Sequence, residues 1–212
     1  MSTYVALLRA VNVGGTKLPM ADLRTLLEGL GLTDVHTYLQ RGNAVFDAGE
    51  GAGTPTELAN AIAMRIERDV GPRVGVLVLR AAALEAVVAA NPFLAATGGA
   101  GEADEAPDQQ FLHATFLFGS GGDADFGEAS ETAYSKVYES TFGKLELPAD
   151  EGETAAFVGV PPLDEPVVYL KLPLGYGRTR LNNAWFERKL GTAATTRNWR
   201  TVRALVELAG EN

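Results

Sequence analysis

Two short segments near the start of the chain combine glycine, asparagine and basic residues in a pattern that suits anion binding. The first, residues 12–17, reads Asn-Val-Gly-Gly-Thr-Lys after an apolar run, and the second, residues 41–43, reads Arg-Gly-Asn. Glycine-rich backbone that leads into a helix presents free N–H groups to an anion, and basic side chains add charge. The candidate ligand-binding residues are Asn12, Gly14, Gly15, Lys17, Arg41, Gly42, Asn43 and, from a third connection, Arg73. The same pattern also fits an ordinary use, with glycines in tight turns and asparagines bonded to loop backbone.

A second candidate lies near the C terminus. Residues 178–203 carry seven basic side chains against the single acid Glu187. Thr196 has the residue type of a helix N-cap, and the helix predicted to follow it places three arginines on one face. These arginines are Arg197, Arg200 and Arg203. Such a stripe is able to pair with the acidic region 99–131, to bind phosphate or to face water, and the sequence leaves these alternatives open.

Other kinds of chemistry have little support in the sequence. The chain has no cysteine, so disulfides, thiolate metal sites and cysteine nucleophiles are excluded. The spacing around its two histidines, His36 and His113, suggests neither a metal site nor a triad with an orienting carboxylate, so both are expected to be strand residues. Walker, G-x-S-x-G and G-x-G-x-x-G motifs are absent. We therefore expect no metal and no cofactor, and we nominate no catalytic residue, which leaves enzymatic activity open.

The charge and the hydropathy of the chain limit its partners. The formal net charge of −9 argues against nonspecific nucleic-acid binding, because that binding depends on neutralising phosphates. No apolar stretch approaches the roughly 20 residues that span a bilayer. The apolar residues 4–8 are followed by Arg9, which ends the run too early for a signal peptide. We expect a cytoplasmic protein with no membrane partner, and the oligomeric state is open.

The first half of the chain predicts the elements that would position the first candidate site. Residues 4–11 predict a central strand, and a stripe of leucines after Pro19 predicts a helix. Residues 35–39 and 44–47 predict a hairpin, and residues 74–79 predict a further strand. Between them, Thr54 and Glu57 form a capping box at the start of a second helix. In this βαββαβ order, which is ferredoxin-like, the loop after the first strand, the hairpin turn and the connection to the fourth strand meet at one edge.

The second half of the chain repeats the pattern in outline. A Gly-, Ala- and acid-rich stretch at 97–110 predicts a flexible linker, after which strands are predicted at 111–118, 137–147, 155–160 and 167–172. A short helical stretch is predicted at about 126–134, and two helices, about 181–190 and 197–209, close the chain. We predict an α+β protein with two ferredoxin-like lobes and antiparallel sheets, at 1–96 and 111–212, and a single mixed-sheet domain is the rival.

Four segments give the chain a specific resemblance. Residues 8–15 read LRAVNVGG, residues 19–24 read PMADLR, residues 38–46 read YLQRGNAVF and residues 195–202 read TTRNWRTV. Together they resemble the uncharacterised bacterial family known as domain of unknown function 1697 (DUF1697), over nearly the whole chain. The resemblance implies a compact two-lobed α+β protein with a duplicated ferredoxin-like character. It implies no established activity, cofactor or catalytic residue.

Three functional hypotheses follow from these observations. The leading one is a protein that binds an anionic, phosphate-bearing small molecule at the loop edge of the first lobe. The alternative is an interaction or oligomerisation module without catalytic activity. A further alternative is RNA binding through the basic C-terminal tail, which the acidity of the whole chain disfavours.

Overall fold

A computed structural model of the protein describes residues 1–13, 16–71, 73–95, 108–118, 146–161, 163 and 167–211. The described residues form eight strands and six α-helices, arranged as two separate four-stranded antiparallel sheets. The predicted α+β class with two sheet lobes is confirmed. The helical stretch predicted at 126–134, most of the strand predicted at 137–147 and linker residues 97–107 lie outside the described residues.

The first sheet has the ferredoxin-like order that the sequence predicts. It contains β1 (Ser2–Leu8), β2 (Thr33–Thr37), β3 (Asn43–Ala48) and β4 (Val76–Arg80), with the strand order β2-β3-β1-β4. Helices α1 (Met20–Glu28) and α2 (Pro55–Val70) follow β1 and β3. Strand β1 is antiparallel to both of its neighbours. The end of β1 therefore lies beside the beginnings of β3 and β4.

Helix α2 begins where its capping box predicts. The hydroxyl of Thr54 accepts a hydrogen bond from the amide of Glu57 at 3.2 Å, and the Glu57 carboxylate accepts one from the amide of Thr54 at 2.7 Å. These bonds satisfy two of the amides that a helix start leaves unpaired. Ile62 and Ile66, one helical turn apart, are fully buried in the core of this sheet.

Strand β1 is shorter than the sequence predicts. It ends at Leu8 rather than at Val11, because Ala10 adopts a left-handed backbone with φ 56° that no strand accommodates. Val11 instead forms an isolated bridge to Thr16 across the loop. The apolar run was misleading here because Val11 is buried as a loop residue, not as a strand residue.

The second sheet repeats the strand order of the first. It contains β5 (Leu112–Phe118), β6 (Thr154–Val158), β7 (Val167–Lys171) and β8 (Ala193–Asn198), in the order β6-β7-β5-β8. Strand β8 follows helix α5 (Asn183–Leu190) and precedes helix α6 (Trp199–Gly210). The sequence did not predict β8. Two further helices, α3 (Ala81–Ala89) and α4 (Pro92–Ala95), follow β4.

The chain divides into two compact units. The first comprises Met1–Glu85 together with Arg203–Asn212, and the second comprises Ala86–Val202. The division falls within α3 and within α6. The lobe boundaries at 96 and 111 and the flexibility of the linker stay predictions.

Candidate ligand-binding edge of the first unit

Three connections of the first unit meet at the end of β1, and we call their described residues, 9–13, 16–19, 38–43, 71 and 73–75, the loop edge. The amide of Leu8 donates a hydrogen bond to the carbonyl of Gly42 at 2.8 Å. The next amide, that of Arg9, donates to the carbonyl of Gly75 at 2.8 Å. The end of β1 is thus bonded to the β2–β3 turn on one side and to the α2–β4 connection on the other.

Asn12 fastens two of these connections together. Its side-chain Nδ2 donates to the carbonyl of Leu18 at 2.8 Å and to the carbonyl of Gln40 at 2.9 Å, while its Oδ1 accepts from the amide of Leu18 at 2.9 Å. Its own amide donates to the carbonyl of Thr16 at 2.8 Å. The carboxamide therefore acts as a clamp between the β1–α1 loop and the β2–β3 turn.

Asn43 has a comparable role inside the β2–β3 turn. It is fully buried, and its Nδ2 donates to the carbonyl of Tyr38 at 2.9 Å. The carbonyl of Asn43 accepts from the amide of Tyr38 at 3.0 Å. Both candidate asparagines thus bond to loop backbone, which is the ordinary use that the sequence left open.

The backbone of the loop edge is unusually rich in left-handed residues. In the described part of the chain four residues other than glycine have positive φ, and three of them, Ala10 (56°), Asn12 (57°) and Leu39 (56°), lie at this edge. Gly42 has φ 68°, and an added Cβ would lie 2.7 Å from the Cβ of Leu8. Left-handed backbone costs about 1–2 kcal/mol for an ordinary L-residue. Such strain often accompanies functional sites.

Each of the three candidate cations lies one or two residues along the chain from a residue that is hydrogen-bonded to Asn12 or to the end of β1. Lys17 lies between Thr16 and Leu18, both bonded to Asn12, and Arg41 directly follows Gln40. Arg73 lies two residues before Gly75, and all three cations are exposed. The side chains of Lys17 and Arg41 make no hydrogen bond or ion pair within the described residues. Gly14 and Gly15 lie outside the described residues, so their proposed amide contacts stay a prediction.

The second candidate, the basic tail, differs from its prediction. Arg197 belongs to β8, not to the last helix, and is 8% exposed; its Nη1 donates to the Thr195 hydroxyl at 2.7 Å and to the Thr196 carbonyl at 3.0 Å. The last helix begins after Asn198, whose Oδ1 accepts from the amide of Thr201 at 2.8 Å. The prediction that Thr196 caps this helix, with three arginines on one face, is therefore wrong.

The other two arginines of the tail do lie on α6. Arg200 is exposed, and Nη2 of Arg203 lies 3.6 Å from the carboxylate of Glu207, one turn further along the helix. Their spacing on the helix is three residues, as predicted. The exposed basic surface of the tail is nevertheless smaller than the sequence suggested, because Arg197 does not contribute to it.

A polar network in the second unit was not predicted. The Thr196 hydroxyl donates to Oδ1 of Asn183 at 2.6 Å and accepts from the Tyr176 hydroxyl at 3.2 Å. Because the Thr196 proton is already used, the Thr115 hydroxyl at 2.8 Å is the donor of their shared bond. The amide of Asn183 in turn donates to the Tyr176 hydroxyl at 3.1 Å. Predicting this network requires the pairing register of β5 and β8, because Thr115 and Thr196 are directly opposite each other on these strands.

The two histidines are strand residues, as predicted, but their surroundings differ. His113 is buried and its ring stacks on that of Tyr176 with centroids 5.4 Å apart, and burial lowers the pKa of His113. Nε2 of His36 lies 2.9 Å from the carboxylate of Asp34, and both side chains are half exposed. The sequence spacing did not suggest this carboxylate partner.

A buried carboxylate in the second unit is also incompletely paired. Oε2 of Glu153 accepts from the Thr179 hydroxyl at 2.9 Å and from the amide of Asp150 at 3.1 Å. Its Oε1 is buried and has no hydrogen-bond partner among the described residues. Among the described residues no group of three or more His, Cys, Asp or Glu side chains is placed to hold a metal ion. None of the described helices has the length and apolarity that crossing a membrane requires.

Comparison with known proteins bears on the fold and the family. The chain is similar to a solved structure, that of the conserved bacterial protein SP0830 from Streptococcus pneumoniae, with 22% identity over 99% of each chain and a TM-score of 0.64. No curated protein matches the chain. A family model described as a protein of unknown function, DUF1697, matches residues 1–142. With the segments at 8–15, 19–24 and 38–46 inside that match, the chain belongs to the DUF1697 family.

Proposed function

We propose that the loop edge of the first unit binds a small anionic ligand that carries phosphate. The observation that carries the proposal is the Asn12 clamp, which ties the backbone beside Lys17 to the backbone beside Arg41 through bonds of 2.8–2.9 Å. Two exposed basic residues thereby lie on backbone that the clamp ties together at one edge. A phosphate group at this edge neutralises their charge and accepts hydrogen bonds from both.

The state of the two cations supports the same conclusion. Lys17 and Arg41 have no carboxylate partner within the described residues, although the chain carries an excess of acids. The clamp uses the carboxamide of Asn12 entirely for backbone, so the cations rather than the asparagines are the ligand-binding groups that we propose. Arg73, also exposed, lies on the third connection of the same edge.

The other two hypotheses have weaker support. RNA binding through the tail loses one of its three arginines, since Arg197 is buried in β8. The interaction-module hypothesis rests on open sheet faces. Successive side chains of a strand point to opposite faces of its sheet, and five consecutive side chains of β1 are all buried. These residues are Tyr4, Val5, Ala6, Leu7 and Leu8. We therefore retain ligand binding as the function to test first.

Pyrophosphate is a suitable probe, and isothermal titration of the intact protein measures its affinity. We expect the variants Lys17→Ala and Arg41→Ala each to weaken binding by about 1–3 kcal/mol, or roughly fivefold to 150-fold, as for hydrogen bonds to a charged group. Lys189→Ala is the matched control, because Lys189 is an exposed lysine in the last turn of α5 in the other unit. All variants should unfold at nearly the wild-type urea concentration.

Salt gives an independent readout. Raising the ionic strength from about 0.05 M to about 0.5 M should weaken pyrophosphate binding to the wild type more than to Lys17→Ala, since one screened charge is already missing. The proposal is wrong if pyrophosphate does not bind the intact protein at millimolar concentration. It is equally wrong if Lys189→Ala weakens binding as much as Lys17→Ala does, because the attraction would then come from overall charge.

A further inference from the structure

Two large apolar side chains are exposed at the loop edge, beside the cations. Val13 is 61% exposed and Leu39 is 53% exposed. In the described part of the chain the other large apolar side chains with comparable exposure are Met1, Met64 and Leu174, which lie at the first residue, on α2 and in the second unit. Single exposed apolar residues are common on protein surfaces, but two at one strained edge call for an explanation.

The clamp links the two backbone segments that carry these residues. Val13 directly follows Asn12, and Leu39 directly precedes Gln40, whose carbonyl accepts the hydrogen bond from Asn12 at 2.9 Å. Each is therefore one residue, about 3.8 Å along the chain, from a hydrogen-bonded position. Lys17 and Arg41 are placed beside the same bonds. The edge thus presents apolar side chains and cationic side chains on adjoining backbone.

Leu39 is unfavourable for folding in two respects. Its φ of 56° is left-handed, which Gly or Asn adopts more readily than Leu does. Its side chain also leaves more than half of its surface in water, so burial does not compensate for the strained backbone. A leucine that strains the turn and exposes apolar surface to water is explained most simply by a contact that it makes only when ligand is bound.

We infer that the ligand of the loop edge is a phosphate monoester whose ester group is apolar. The inference rests on the proposed function: Lys17 and Arg41 bind the phosphate, and Val13 with Leu39 contact the apolar group. An inorganic anion would leave both apolar side chains in water. An uncharged apolar molecule would leave the cations unpaired.

A matched pair of probes separates the two parts of this inference. Methyl phosphate and phenyl phosphate carry the same charged group and differ in the apolar group, and phenol lacks the phosphate. We expect phenyl phosphate to bind the intact protein about tenfold more tightly than methyl phosphate. Each CH₂ equivalent that is buried on binding raises the affinity roughly fourfold, so tenfold corresponds to burial of only part of the ring. Chemical-shift titration of the backbone amides measures all three affinities.

The variant that tests the apolar contact is Leu39→Asn, because Asn tolerates left-handed backbone and the turn is expected to keep its shape. Together with Val13→Thr, which preserves side-chain shape, it should reduce the preference for phenyl phosphate over methyl phosphate to less than about threefold, because phenyl phosphate loses more apolar contact than methyl phosphate does. Leu174→Asn, at a side chain that is 56% exposed in the second unit, is the control and should keep the full preference. Urea unfolding should show that Leu39→Asn is at least as stable as the wild type.

The outcomes distinguish this inference from the function on which it rests. If neither phosphate ester binds while pyrophosphate does, the monoester inference fails and the anion site stands; if pyrophosphate also fails to bind, the proposed function fails. If both esters bind equally well, or if Leu39→Asn with Val13→Thr retains the preference, the apolar contact is wrong and the anion site stands. If phenol binds as tightly as phenyl phosphate, the phosphate contributes nothing and both are overturned.

Discussion

The clamp of Asn12 should be a measurable source of stability. Its side chain makes three hydrogen bonds, of 2.8, 2.9 and 2.9 Å, to Leu18 and Gln40. At a net contribution of about 0.5–1.5 kcal/mol each, their loss should cost about 1.5–4.5 kcal/mol. We expect Asn12→Gly to lower the free energy of unfolding by this amount, because Gly keeps the left-handed backbone and removes only the side chain.

A second variant isolates the backbone. Asn12→Ala loses the same bonds and also places an ordinary L-residue at φ 57°. The left-handed penalty of about 1–2 kcal/mol is partly offset by the greater flexibility of unfolded Gly, so Ala should be less stable than Gly by about 1 kcal/mol. Val13→Ala, at the exposed neighbouring position, should change stability by less than about 0.5 kcal/mol.

Equilibrium urea unfolding followed by circular dichroism measures these differences. The slope of the free energy against urea should stay constant, since a changed slope would mean that the unfolded state or the cooperativity had changed. If Asn12→Gly unfolds at the wild-type urea concentration, the clamp contributes nothing and the reasoning fails. If the Asn12→Ala and Asn12→Gly variants are equally stable, the left-handed backbone at position 12 is refuted.

Three further substitutions have defined outcomes. Gly42→Ala should destabilise by about 2–4 kcal/mol in urea unfolding, because its Cβ would lie 2.7 Å from that of Leu8 at a φ of 68°; unchanged stability would contradict the close approach. Tyr169→Phe should cost about 1–3 kcal/mol by leaving the Val87 carbonyl, 2.8 Å from the buried hydroxyl, without its donor, and a neutral result would remove that bond from the account. Burial lowers the pKa of His113 below its usual 6.5, so the unfolded chain binds this proton more tightly, and stability should fall as the pH drops through about 6.5. His113→Gln should flatten that loss in thermal melts between about pH 7.5 and 5.5, and an identical pH profile would show that the ring does not contribute.

The first unit could be predicted from sequence because each signal there has a local cause. The leucines of α1 and the capping box of α2 depend on neighbours three or four residues away, and the structure confirms both. The βαββαβ order then determines which connections share an edge. The convergence of the loop after β1 with the β2–β3 turn follows from that order alone.

Strand β8 could not be recognised in the same way. Its sequence, AATTRN, lacks the apolar alternation that predicts a strand. Thr196 is instead hydrogen-bonded within a polar network, and Arg197 is buried with hydrogen bonds to residues of its own strand. Its Thr and Asn residues are all of types that cap helix N-termini, and the one that caps the last helix is Asn198. These partners come from residues as distant in sequence as Thr115, so no local pattern contains the information.

The role of the asparagines at the candidate site depends on geometry in a similar way. Residue types alone allow Asn12 either to bind a ligand or to bond to loop backbone, and the choice depends on whether Gln40 and Leu18 come within reach. In the structure all three bonds of the carboxamide go to backbone, so the amide positions the loops, while Lys17 and Arg41 beside it have no charged partner among the residues that the structure describes. This arrangement separates the group that shapes the edge from the groups available to a ligand. Stability and affinity should therefore respond to different residues, which makes the proposed site testable by substitution.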